Sequence, residues 1–300
     1  MRTMNLFRSA LLALLACLVA ACAQPDERET GGSDAPNPLL WEVARSDGSV
    51  EGWLMGTIHA LPDGARWRNG AIDRAVADAD ILVMEIDDLD DRKAMAAAFQ
   101  PLAFSDEQPP LAARVHPEQR EQLTDLVGQT SYNLDDFARI ESWSAALILA
   151  QAIETDADAR NGVDRALVED FTGRPIMEIE GAREQFTVFD GLSESAQRAL
   201  LAAIVEDSRK DETERMEPIT LYLAGDVDGL ERLSREGMLA IPEVREALLT
   251  KRNARWAPRI ERLLAREERP LIAVGAAHMV GDDGLVALLE AEGYRVTRVQ

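Results

Sequence analysis

Two short stretches far apart in the chain, "WLMGTIHALP" and "IAVGAAHMVG", place a histidine three residues after a glycine: Gly56 to His59, and Gly275 to His278. The chain has only 3 histidines, so two of them share one frame. Imidazole is the side chain that changes charge near neutral pH and a common metal ligand. Each histidine follows a β-prone apolar run, and glycine before it permits a positive-φ exit that a Cβ would hinder. The histidine then lies just beyond a strand end, where open α/β sheets bind their ligands. Glu85 in "DILVMEID" and Glu180 in "PIMEIE" end two further apolar runs in the same way. Two imidazoles with one or two carboxylates make a donor set for a divalent ion such as Mn, Co, Zn or Fe. A site of that kind with an open position activates water, and the spare glutamate becomes a general base. Arg252 and Asn253 in "TKRNARW" add a cation and an amide. A cation beside the site would anchor a substrate carboxylate or stabilise an oxyanion. Each of these residues also has a plain reading: a hydrogen-bonded loop histidine, a solvated strand-end glutamate, a surface helix carrying Arg252. His116 in "RVHPEQ" reads as a surface residue at a helix start. The chain has no P-loop, no G-x-G-x-x-G and no G-x-S-x-G.

Positioning these groups requires strands at both ends of the chain. "LLWEVAR" and "VEGWLMGTI" read as a β-hairpin turning at Asp47-Gly48. "NGAIDRAVADA" has helical spacing, and "DILVMEID" reads as a strand buried on both faces. The middle is helical. "LDDFARIESWSAALILAQAIE" reads as one helix, "GVDRALVED" as another before the strand "PIMEIE", and "IPEVREALLTKRNARWAPRIERLLAREE" as two more. "PLIAVG", "GDDGLVALLEAEG" and "YRVTRV" close the chain as strand, helix and strand, with Gly293 ending the helix. The expected fold is α/β: a central mixed sheet with strand-end Gly-x-x-His motifs and a large helical insert, roughly residues 89–165 and 193–268.

A formal net charge of −22 argues against nucleic acid, whose binding rests on clustered Lys and Arg. At 46% hydrophobic residues the chain has ample material for a core. Residues 1–21 read as a signal peptide: Arg2 and Arg8, then the apolar "SALLALLACLVAA". "LVAAC" resembles a bacterial lipobox with Cys22 as the lipidated first mature residue, and Ala21-Cys22-Ala23 also fits ordinary signal cleavage. Residues 22–38, rich in Gly, Pro and charge, read as a flexible tether to the domain at 39–300. The expected localisation is exported, anchored through an N-terminal lipid and facing the periplasm. Nothing in the sequence sets the oligomeric state.

Several blocks in order, "LLWEV…GWLMGTIHALP", "ADILVMEID", "GVDRALVEDFTGRPIMEIEGAREQFTVFD", "KRNARWAPRI" and "PLIAVGAAHMVGDDGLVALLEAEGYRV", resemble the TraB/GumN family. That family sits in a wider group with the Tiki metalloproteases and with erythromycin-esterase-like and ChaN-like proteins. The resemblance implies an α/β fold whose paired Gly-x-x-His motifs share a pocket. Position by position it matches His59 and His278, Glu85, Glu180 ahead of Gln185, and the pair Arg252-Asn253. Its Tiki branch implies metal-dependent peptide cleavage in the cell envelope. The alternative is a non-catalytic envelope protein that sequesters a peptide or signal ligand, and a third is haem or iron binding as in ChaN-like relatives.

Overall fold

The computed structural model describes residues 39–86 and 91–299. The signal peptide, Cys22 and the tether lie outside the described residues.

Six strands form one mixed sheet: β1 (Leu40–Ala44), β2 (Val50–Thr57), β3 (Ile81–Met84), β4 (Ile176–Glu178), β5 (Pro270–Gly275) and β6 (Arg295–Arg298), in the order β4-β3-β5-β2-β1-β6. β4, β3, β5 and β2 run parallel to one another, and β1 runs antiparallel to both β2 and β6. The β1–β2 hairpin turns at Gly48, which has φ 92°. Continuous burial from Trp53 to Thr57 and from Pro270 to Val274 shows that the central strands are covered on both faces. The cover comes from α1 (Gly70–Asp78), α5 (Val163–Asp170), α8 (Glu212–Ala224), α11 (Lys251–Leu264) and α12 (Leu285–Ala291). α11 buries Trp256, Ala257, Ile260, Leu263 and Leu264 along one stripe, as a 3.6-residue period requires.

A second core lies among the inserted helices. α2 (Arg92–Ala103), α3 (Arg120–Gly128), α4 (Ser142–Ala150), α6 (Ala182–Asp190) and α7 (Glu194–Asp207) enclose Phe99, Trp143, Phe186 and Phe189. These rings meet edge-on or stacked at centroid distances of 5.2–6.3 Å. The short helices α9 (Val227–Leu233) and α10 (Pro242–Arg245) complete the insert. Among the described residues no helix is long and apolar enough to cross a membrane.

Two helix assignments from the sequence need correction. The run from Leu134 is not one helix. A 3-10 turn at Leu134–Arg139 ends at an extended Ile140, and α4 begins at Ser142. Beside the break lies Arg114, buried at 3% exposure, whose guanidinium donates to the carbonyls of Pro109, Phe137 and Ile140 at 2.8, 2.7 and 2.6 Å. Phe137 O accepts the last bond of the 3-10 turn as well as Arg114, and Ile140 O is turned to the buried cation, which favours the break there. Conversely, "IPEVREALLTKRNARWAPRIERLL" is not two helices but one continuous helical run. α10 passes through a π-helical turn at Glu246–Thr250 directly into α11. Such turns commonly mark functional sites, and this one immediately precedes Arg252.

Candidate functional site

The four parallel strands deliver their carboxyl ends side by side. Across β4, β3, β5 and β2 the residues just beyond those ends carry Glu180, Glu85, His278 and His59 in that order. β2 and β5 are direct neighbours, with Thr57 paired to Gly275. The two glycines act by close approach. Neither has positive φ, contrary to the expectation from their position. A Cβ on Gly56 would meet Leu39 Cβ at 3.1 Å and Ala276 Cα at 3.2 Å. A Cβ on Gly275 would meet Glu85 Oε1 at 3.3 Å.

Arg252 is the hub. It is 4% exposed and reaches three of the four groups. Its Nη2 donates to Glu85 Oε2 at 2.7 Å and to Glu180 Oε2 at 2.6 Å, and its Nε donates to Glu180 Oε2 at 2.9 Å. Its Nη1 lies 3.2 Å from His278 Nε2 and donates to Leu248 O, in the π turn, at 3.1 Å. A guanidinium has five N–H donors, and here each has an acceptor. Trp256 lies beneath, its ring 4.5 Å from both the Arg252 guanidinium carbon and the centre of the His278 ring. Glu180 takes a further bond from Arg255 at 3.0 Å, and Glu85 Oε1 accepts the Gly275 N–H at 2.8 Å.

His278 is held at both nitrogens. Nδ1 lies 2.6 Å from Asn253 Oδ1, so Nδ1 carries the proton and Nε2 accepts from Arg252. Asn253 in turn donates to Asp283 O at 2.8 Å. The Asp283 carboxylate is gripped by Arg245 through two bonds of 2.7 and 2.8 Å and by Thr250. These bonds, chiefly from Arg245, hold its pKa down at about 2.

His59 stands apart from the hub. Its Nδ1 lies 3.0 Å from Oδ2 of Asp164 on α5. Asp164 is 3% exposed, and its Oδ1 has no partner. Gly162 is required beside this pair, because a Cβ there would lie 2.5 Å from His59 O and 2.7 Å from Asp164 Oδ1. His59 Nε2 has no hydrogen-bond partner among the described residues. Asp164 did not stand out in the sequence. Its available signal was the "NGVD" frame, where the glycine precedes the aspartate by two residues.

The electrostatics divide the two histidines. Burial opposes charging His59, but the charge and hydrogen bond of Asp164, with the charge of Glu85, outweigh it and raise its pKa above 6.5. Burial and the neighbouring Arg252 push His278 down to about 3, only partly offset by Glu85. Burial would raise Glu85, but Arg252, the histidines and the Gly275 N–H bring it down to about 2. Glu85 is therefore an anion at neutral pH and His278 is neutral.

As arranged, these side chains do not fit the expected divalent ion. The His278 Nε2 lone pair and the oxygens of Glu85 and Glu180 are taken up by Arg252, Arg255 and the Gly275 N–H. An ion among them would sit against a buried guanidinium. Among the described residues no group of three or more His, Cys, Asp or Glu side chains is arranged to hold a metal. Arg252 likewise has no N–H left for a substrate carboxylate or an oxyanion, so it positions its neighbours. Asn253 does the same for His278.

A cavity of about 200 Å³ opens beside the cluster, with His59, Glu85, Arg252 and His278 at its polar end and mainly aliphatic residues elsewhere. A smaller space of about 10 Å³, roughly one water, is lined by Thr57, His59, Glu85 and Asp164.

Sheet order, strand-end histidines and an adjoining cavity define an α/β domain with a cavity and a candidate site at the carboxyl edge of its parallel strands. A profile of the TraB/PrgY/gumN family matches residues 39–298, and the chain belongs to that family. No curated protein and no solved structure matches it.

The neutral His278 has a consequence for stability. Its pKa is lowered, so below pH 6.5 the unfolded chain binds a proton that the native chain refuses, and stability falls with pH until about 3. Glu85 adds a second loss between 4.5 and about 2. His59 acts oppositely: its raised pKa contributes stability that is present below 6.5 and lost as pH rises through its native value. Urea unfolding at pH 6.5 and pH 5 should show wild type losing on the order of 1–2 kcal/mol that His278→Gln does not lose. Equal pH dependence in the two proteins would refute a buried neutral His278.

Proposed function

We propose that this domain is a hydrolase of amide bonds in the bacterial cell envelope, in which His59 and Asp164 activate water without a metal ion. The observation that carries this is the dyad itself: a cavity-lining imidazole whose Nδ1 is tied to a buried carboxylate and whose Nε2 is unengaged. Asp164 fixes the tautomer and stabilises the imidazolium that forms, as in other His-Asp pairs. Water attacks the acyl carbon while His59 Nε2 takes its proton, forming the new C–O bond. The C–N bond then breaks, and the same proton passes from His59 to the leaving nitrogen. Glu85 is an anion beside the dyad and favours the charged imidazolium. The Arg252 hub keeps Glu85, Glu180 and His278 in place without entering the reaction.

A second reading is favoured by the saturation of Arg252 and His278, which leaves His59 as the single free base. The domain would then bind a peptide or signal ligand and hold it. Retention of a bound peptide, with thermal stabilisation and no product by mass spectrometry, would establish it.

A panel of chromogenic amides tests the hydrolase. His59→Ala and Asp164→Asn should each lose about 10²–10⁴-fold in kcat/KM with the circular dichroism unchanged. The rate should climb with pH as His59 gives up its proton, along a limb centred above 6.5. It should also survive EDTA. A rate abolished by EDTA and restored by Mn, Co or Zn would refute the metal-free mechanism.

Lipidation at Cys22 would place the domain at the membrane on a tether of residues 22–38. The "LVAAC" sequence supports this. Cys22→Ser should move the protein from the membrane fraction to the soluble fraction after export. Unchanged membrane association would reject the anchor.

A further inference from the structure

We propose that the cavity beside His59 takes the aliphatic acyl group of a neutral amide, and that Gln185 recognises the amide. The proposal rests on the hydrolase reading for which bond is cut, but its binding claim stands separately.

Three observations carry it. The first is Gln185 on α6. It lines the cavity, is 7% exposed, and its Oε1 has no hydrogen-bond partner. A buried carboxamide oxygen left without a partner is costly, and an occupant that reached it would remove that cost. It offers both an acceptor and donors, the complement of another amide's N–H and C=O.

The second is the exhaustion of charge. Every Arg252 N–H is already spent on Glu85, Glu180, His278 and Leu248 O. Ser234, also on the wall, gives its hydroxyl to Glu231 O at 2.7 Å. A ligand carboxylate in this chamber would meet no free guanidinium, only the His59 imidazole, which is already paired with Asp164 and stands beside the Glu85 anion, and burying an unmatched charge is prohibitive. The occupant's buried part is therefore neutral.

The third is the wall itself. Leu147, Phe189, Ile204, Leu239, Leu248 and Leu249 are among the residues that line the space. An apolar cavity of about 150 Å³ accepts benzene. At about 200 Å³ this chamber has room for an apolar group of roughly six to eight carbons. Such a group could also be the side chain of a peptide residue. A free peptide, however, brings two charged termini, for which the lining has no unspent arginine or lysine.

Calorimetric titration of the purified chain with acetamide, hexanamide, octanamide and dodecanamide tests this, with octanoate and trileucine as charged comparisons. Affinity should rise at least about tenfold from acetamide to octanamide and then level off, with octanoate and trileucine about tenfold weaker or worse. Gln185→Leu should weaken octanamide about tenfold. Leu233→Trp, at a half-buried position on the wall, should abolish the chain-length dependence and serves if Gln185→Leu fails to fold. Tighter binding of octanoate or trileucine, no dependence on chain length, or an indifferent Gln185→Leu would overturn the proposal. Octanamide bound but never hydrolysed would leave it standing while removing the hydrolase. Amide hydrolysis indifferent to chain length and to Gln185 would do the reverse.

Discussion

One buried guanidinium organises the carboxyl edge of this sheet. Arg252 is reached by groups from three separate strand ends, and its removal would strand two carboxylates, Glu85 and Glu180, in the interior. Deleting one partner of a buried ion pair typically costs about 3–5 kcal/mol for that reason. The geometry that places Arg252 there is itself unusual: a π turn at Glu246–Thr250 supplies Leu248 O as its acceptor and leads directly into α11. Trp256, one turn further on, backs both the guanidinium and His278. Fold and site thus share one ionic cluster, and both depend on its remaining paired.

This cluster explains why two histidines in the same sequence frame behave differently. Both leave adjacent parallel strands, and at both glycines neighbouring atoms lie tight against where a Cβ would sit. His278 enters the hub and is held neutral between Asn253 and Arg252. His59 lies one strand further on, meets Asp164 instead, and has its pKa raised. The repeat in sequence produces one structural imidazole and one free base.

Much of the sheet was legible from local pattern. Apolar runs ending in glycine or glutamate, with Asp47-Gly48 between two of them, mark β1, β2, β3 and β5 because strand burial and turn chemistry are encoded over a few residues. The helices of the middle were legible in kind but not in their breaks or their partners: α6, outside the expected insert, joins the second core, while α8 and α11, inside it, cover the sheet. The interruption at Ile140 coincides with bonds from Arg114, which is distant in sequence, and the π turn offers Leu248 O to Arg252, a contact that local pattern does not announce. The candidate residues Glu85, Glu180, Arg252, Asn253 and His278 do come together. What residue type and spacing could not convey is that an arginine would occupy the middle of a donor set suited to a metal. Asp164 was hidden, and Gln185 was marked only by its place after Glu180 in the family match, for a related reason. Their significance lies in an unpartnered oxygen, which only three-dimensional neighbours reveal.

With only 3 histidines in the chain, titration of their ring carbons by NMR reads the central claim directly, with and without EDTA and again with added Zn. The account predicts His59 titrating above 6.5, His278 neutral for as long as the fold persists on acidification, and neither curve altered by chelator or metal. His278 titrating near 6.5, or both histidines shifting together when zinc is added, would show that a metal and not Arg252 organises the site.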